Sequence, residues 1–285
     1  MGVARYSPWD FVVYLYTLQA TAGQIALTHY MSKTASNGGN DSTTELFKHL
    51  RSYREGGHEK APTMNTVVGG RNVDLALKGQ GSGETFIKIW DFMSRNMEQM
   101  KKLKVKVYKR REEADVMEFV AEDFIYRRYF SKNSEKEGFE WMIRDHFFGI
   151  DCIGFVGQFL VYTGEWPEYK GMAPKKWPNH YCKIAINSAS EIRALDFLVW
   201  IASGHIAIVD EFFNIVDDKT VRVDICQSSR GGPQLNQFVY IKEVGQRKHA
   251  DGTSDPMRYK FLHLGTPAMP VTDEFYIYRR DGFTY

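Results

Sequence analysis

The chain has 285 residues, 43% of them apolar and 14% aromatic, a composition that fills one large core or two modest ones and excludes a mostly disordered polypeptide. Lysine and arginine number 37 against 35 aspartates and glutamates, and a net charge of +2 supplies no global field to recruit nucleic acid or an acidic membrane. Three cysteines, Cys152, Cys182 and Cys226, are too few and too scattered for a secreted disulfide scaffold, and no CxxC pair marks a zinc ribbon.

In chain order, Ser7-Pro8 supplies a capping hydroxyl and a first-turn proline for a helix. The apolar run that follows, Phe11 to Leu27, carries Thr17, Gln19 and Gln24 and has Asp10 at its head, so it reads as an amphipathic core helix. It is neither a membrane span nor an evident signal peptide, and no stable membrane insertion is expected. Ser32 to Ser42 reads as a loop and Thr43 to Tyr53 as a short helix. Gly56-Gly57, Pro62, Gly69-Gly70 and the cluster from Gly79 to Gly83 then break up the chain. That cluster is no phosphate cradle, because Glu84 and Thr85 follow where a lysine and a hydroxyl residue would be needed. Thr85 to Met100 has helical spacing through Phe86, Ile87, Ile89, Trp90 and Met93. Lys101 to Arg111 alternates Leu103, Val105 and Val107 with lysines, the pattern of a charged edge strand. Glu112 to Phe130 returns to helical spacing, and Ser131 to Gly138 reads as a linker. These elements divide the chain into a mainly helical N-terminal accessory region, 1–110, and a second domain, 111–285.

The chemistry-bearing segment begins at Gly149-Ile150-Asp151-Cys152-Ile153-Gly154-Phe155-Val156. Ile153, Val156, Phe159 and Leu160 keep helical spacing, so Asp151 falls at an N-cap and Cys152 in the first turn. Unpaired N–H groups and the positive end of the helix dipole favour thiolate there, drawing a free thiol from about 8.5 toward neutrality. The same N–H groups stabilise negative charge on a carbonyl oxygen under attack. A cysteine nucleophile needs an imidazole, and Gly204-His205-Ile206-Ala207-Ile208-Val209 offers one at the head of an apolar strand. A third group must orient that ring. The next strand, Thr220 to Gln227, offers Gln227, on the face of Val221, Val223 and Ile225, and Asp224 on the opposite face. Cys182 and Cys226 read as packed core thiols. The His180 and Cys182 spacing fits no zinc clamp, and neither metal nor cofactor is expected.

Asp-Cys-Ile-Gly-Phe-Val at 151–156, Leu195-Asp196-Phe197-Leu198-Val199-Trp200 and Gly204-His205-Ile206-Ala207-Ile208-Val209 together resemble the signature blocks of NlpC-type cell-wall cysteine peptidases and the related CHAP amidases. The resemblance spans residues 149–232. It implies an α+β, papain-like core in which a nucleophile helix packs on a small antiparallel sheet. It also implies Cys152 as nucleophile, His205 as base and acid, and a polar third residue within Asp-Ile-Cys-Gln-Ser-Ser at 224–229. Gln227 is preferred there, before a Ser-Ser-x-Gly-Gly stretch similar to the family's post-strand turn, with Asp224 as the alternative. Leu195 stands where the family commonly has glycine, and the tyrosine usual upstream of the cysteine is absent, Tyr129 being the nearest.

The resemblance implies hydrolysis of an amide bond of bacterial peptidoglycan through a thioester. Made in the cytoplasm without an evident signal peptide, such an enzyme would leave by a non-classical route, as an antibacterial effector neutralised by a cognate immunity protein, or by lysis as a phage enzyme. Two other readings stay open: acyl transfer or protein and isopeptide cleavage at the same site, and a binding module with a decayed site. Trp141, Trp166, Trp177 and Trp200 either line a glycan groove or fill the core. Glu165 to Asn187, with Pro167, Pro174 and Pro178, is expected to loop over the cleft.

Overall fold

The computed structural model describes residues 6–28, 50–111, 116–122, 125–144, 148–229, 231–262 and 274–281. The chain forms two compact units. One comprises 13–151 with 230–232, and the other comprises 1–12, 152–229 and 233–285. The unit carrying Cys152 therefore starts at 152 rather than 111 and also takes in the first twelve residues.

Helix α1, Pro8–Tyr16, starts where Ser7 Oγ accepts the Asp10 N–H at 3.1 Å and Asp10 returns the bond to the Ser7 N–H at 2.7 Å. It stops well short of Leu27. Strands β1, Leu18–Ala20, and β2, Gly23–Ile25, pair antiparallel instead, with Gly23 at φ 118°. Buried Leu18 and Ile25 alternate with exposed Gln19 and Gln24, and this period of two, hinged on a glycine, overrides the helical reading.

Helices of the 13–151 unit include α2, Gly70–Ala76, α3, Gly83–Arg95, and α4, Met97–Met100. Ser82 caps α3 by accepting the Thr85 N–H at 3.1 Å. Phe86, Ile89, Trp90 and Met93 form its buried face, and Trp90 stacks on Phe139 with centroids 4.4 Å apart. A Cβ on Gly83 would sit 2.5 Å from Tyr14 Oη and 2.7 Å from Leu18 Cδ2, so part of the glycine cluster exists for close packing.

Strands β3, Val105–Arg111, and β4, Val116–Glu122, pair antiparallel, which corrects the helix expected over 112–130. The linker expected at Ser131 to Gly138 instead holds the start of helix α5, Glu135–Arg144. Ser134 and Glu137 form its capping box, with Ser134 N–H to Glu137 Oε2 at 2.8 Å and Glu137 N–H to Ser134 Oγ at 3.3 Å. Most of the helix expected at 43–53, and all of the loop expected at 32–42, lies outside the described residues.

The second unit holds α6, Cys152–Tyr162, a short α7, Trp177–His180, and seven strands. These are β5, Ile184–Ala185, β6, Phe197–Trp200, β7, His205–Asp217, β8, Thr220–Ser229, β9, Gly232–Gly245, β10, Arg258–Leu262, and β11, Phe275–Arg279. Their order is β10-β9-β8-β7-β6-β11, and β11 pairs back to β10 through Arg258↔Tyr276 and Tyr259↔Phe275. The sheet is thus a closed six-stranded barrel, with β5 added beyond the closure on β11.

This overturns the expected papain-like core of a helix on a small sheet. The reason is visible in the strands. Phe197 to Trp200 and Ile206 to Val209 are buried at every position, so each strand has two apolar faces to cover. One face turns inward: Leu198, Trp200, Ala207, Val209, Val221, Val223, Ile225, Val239, Ile241, Tyr259, Phe261, Phe275 and Ile277 make one interior core, with residues from all six strands. The alternating residues, among them Ile206, Ile208 and Cys226, face outward, and α6 packs against β7 and β8. A Cβ on Gly157 of α6 would lie 2.4 Å from the Tyr169 ring.

Candidate functional site

Cys152 opens α6 and is nearly buried, at 4% exposure. Its first-turn position leaves backbone N–H groups without partners in the helix itself. The preceding Asp151, expected only as a cap, takes a hydrogen bond from Gln80 Nε2 on Oδ2 at 3.3 Å, while its own N–H donates to Gly79 O at 2.7 Å. The Cys152 thiol donates to Gly204 O at 3.9 Å, a long bond within the reach of sulfur.

Gly204 ends the exposed turn between β6 and β7. Its φ of 69° belongs to the left-handed region, and its N–H closes the turn on Trp200 O at 2.9 Å. His205 follows as the first residue of β7, directly across from Trp200. The two rings lie 5.1 Å apart, so the indole shields one side of the imidazole. Burial lowers the histidine's pKa, and its hydrogen bond to Gln227 opposes that shift. The ring is neutral near pH 7.

Gln227 Oε1 lies 2.6 Å from His205 Nε2. The Gln227 amide nitrogen donates to Asn236 Oδ1 at 2.9 Å, so its oxygen is the end presented to the ring. An amide oxygen only accepts, and therefore Nε2 carries the imidazole proton and Nδ1 carries the lone pair. The structure brings Gln227, not Asp224, to His205. Asp224 accepts the Phe238 N–H on Oδ1 at 2.6 Å, and burial raises its carboxyl above the ordinary range. Gln227 shares the phase of Val221, Val223 and Ile225, residues of the barrel core. The contact with His205 arises because Ala207 and Val209, and with them His205, share the inward phase of β7.

Sequence reasoning missed Asn236 and Gln234, two amides spaced by two at the start of β9. Gln234 Nε2 donates to Ser229 Oγ at 3.0 Å and approaches Asn236 Oδ1 at 3.5 Å. Their alternation just beyond Gly231-Gly232 was the available signal.

The other candidates resolve as packing. Cys182 and Cys226 are fully buried. Burial pushes the Cys182 thiol up to about 12 and the Cys226 thiol well above its usual range. Asp196, in the block before β6, is fully buried and binds Arg279 through Nε at 2.7 Å and Nη2 at 2.8 Å, with the Arg193 N–H at 2.8 Å. Leu195 has φ 66°, a conformation natural to glycine. The stretch expected to loop over the cleft is an aromatic cluster in which Trp166 and Trp177 stack 5.4 Å apart and Trp177 meets Phe197. Trp166, Trp177 and Trp200 are buried core and line no glycan groove, whereas Trp141 is exposed. Among the described residues no helix is long and apolar enough to cross a membrane, and no cluster of histidine, cysteine and acidic residues is arranged to hold a metal. Comparison with protein-family models, curated proteins and solved structures finds no match to this chain.

Proposed function

We propose that the chain is a cysteine amidase or peptidase, with Cys152 as nucleophile, His205 as base and acid, and Gln227 as the group that orients the ring. The observation that carries the reading is the fixed tautomer: Gln227 holds His205 with Nδ1 free to take a proton, one residue beyond the carbonyl to which the Cys152 thiol points. In the reaction the thiol proton passes to His205 Nδ1 and sulfur adds to the amide carbon. The imidazolium returns that proton to the leaving amine, which departs as the thioester forms. Water then attacks the thioester with His205 as base, releasing the acid and restoring the thiol. The N–H groups at the start of α6 are proposed as the donors to the oxyanion. The peptidoglycan stem peptide or crosslink as substrate rests on the likeness of residues 149–232 to NlpC-type peptidases. An exported effector with an immunity partner, or a phage lytic enzyme, is the setting that substrate suggests.

The test is incubation of the purified chain with peptidoglycan fragments, followed by mass analysis of the products. Cys152→Ala and His205→Ala each abolish turnover, and the double variant is little worse than either single one, because the two side chains act as a unit. A folded single variant that keeps more than about a tenth of the rate, a loss under ~1.4 kcal/mol, refutes the assignment.

A further inference from the structure

Val239 and Ile241 of β9 lie in the barrel interior, and Asn236 of the same strand meets Gln227, whose phase along β8 is also interior. An unbroken strand returns to the same face every second residue, yet 236 and 239 are three apart. One extra residue must intervene. Phe238 is that residue, with a left-handed φ of 54° that a bulky side chain adopts only when its surroundings impose it. The surroundings are specific. The Phe238 N–H is held by Asp224 Oδ1 at 2.6 Å, and the Arg222 guanidinium lies over the Phe238 ring at 5.2 Å and over Phe213 at 5.3 Å. Asp224 is therefore tied to the site by backbone geometry, three residues away from the amide that touches the histidine.

The amide of Gln227 has an accepting end and a donating end of nearly the same shape. With its oxygen toward His205 the ring carries its proton on Nε2. With its nitrogen toward the ring, Nε2 must accept, and the proton moves to Nδ1, the atom that has to receive the thiol proton. Asn236 Oδ1 decides between them by accepting from Gln227 Nε2, and Gln234, anchored on Ser229 Oγ, approaches the same oxygen. The geometry points to Asn236 as a positioning residue that fixes the His205 tautomer through Gln227, and to the Asp224-pinned bulge at Phe238 as the device that brings Asn236 into phase. In its kinetic consequence this rests on the proposed cysteine hydrolase.

The test reads the tautomer directly. Long-range proton–nitrogen correlation spectra of the full chain, labelled with ¹⁵N and recorded above pH 8, distinguish Nε2–H from Nδ1–H, with the His205 signals assigned by their absence in His205→Gln. The wild type shows Nε2–H. Asn236→Ala shows a mixture or Nδ1–H, Asn236→Asp keeps Nε2–H because a carboxylate still accepts, and Asp224→Ala moves in the same direction as Asn236→Ala. If Asn236→Ala fails to fold, the wild-type tautomer and Asp224→Ala carry the test. In turnover, a fall of the correct tautomer to about a tenth lowers kcat about tenfold with KM unchanged, and Asn236→Asp restores it. A wild type with Nδ1–H, or a folded Asn236→Ala with the wild-type tautomer, overturns the inference. A tautomer that responds in a protein unable to hydrolyse amides overturns the catalytic reading and supports the positioning one.

Discussion

Arg279→Met tests what fastens the barrel at its closing strand. Asp196 is wholly buried and receives three hydrogen bonds, two of them from Arg279, which also donates to Glu191 O at 2.5 Å. Methionine keeps much of the apolar stem but strands the carboxylate with one backbone N–H. Breaking a buried pair from one side costs about 3–5 kcal/mol, because the remaining charge cannot be rehydrated. In a chain of this size that lowers Tm by roughly 6–20 °C. Acid reverses part of the loss. Burial already raises the Asp196 carboxyl above its ordinary value, and removing Arg279 raises it further. The variant's native state then holds a proton that the unfolded chain lacks, so the deficit is largest near pH 7 and shrinks as pH falls toward about 4. Urea unfolding followed through tryptophan fluorescence at pH 7 and pH 5 measures both quantities. A loss under about 1 kcal/mol at pH 7, or a deficit that grows on acidification, refutes the reasoning.

Three further outcomes follow from the same geometry. Iodoacetamide near neutral pH labels Cys152 fastest, since Cys182 and Cys226 are wholly buried with thiols pushed far above neutrality, and peptide mass mapping that finds either of those labelled first sinks the nucleophile assignment. Leu195→Gly, which relieves a left-handed leucine worth roughly 1–2 kcal/mol, leaves stability within about 1 kcal/mol of the wild type or raises it, and a larger loss in denaturant melts shows that the side chain's packing outweighs its strain. Because burial depresses the His205 pKa, the unfolded chain binds more protons than the native one as pH drops through about 6.5. Stability therefore falls in that window, and His205→Gln flattens the slope relative to the wild type, whereas an unchanged slope places the titration elsewhere.

Local pattern was a good guide wherever one segment decides its own structure. The capping pair at Ser7 and Asp10, the alternation that makes Val105–Arg111 a strand and the spacing that starts a helix at Cys152 all depend on neighbours within a turn or two. Period two along β8 sufficed to put Gln227 out of phase with Asp224, but not to show that its face belongs to a barrel core. Inside and outside of a closed sheet look alike in strands that are apolar on both faces. Closure itself depends on Tyr259 meeting Phe275, sixteen residues on, which no window of local periodicity contains. The bulge at Phe238 was equally hidden, because the usual cue for a left-handed bulge residue is glycine. Ser134-x-x-Glu137 was different: a helix start signalled in plain sequence and passed over because the polar residues around it resembled a linker.

Strand β11 joins β6 along one edge and, along the other, β10 at its beginning and β5 at its end. It follows all three of those strands in the chain. During synthesis, β6 to β10 emerge with two open edges and an unfilled lumen, and both edges stay available for pairing with another chain until Phe275–Arg279 arrives. Closing this barrel thus waits on β11, which follows its partners in the chain, and requires long-range registration as well as local helix and hairpin formation.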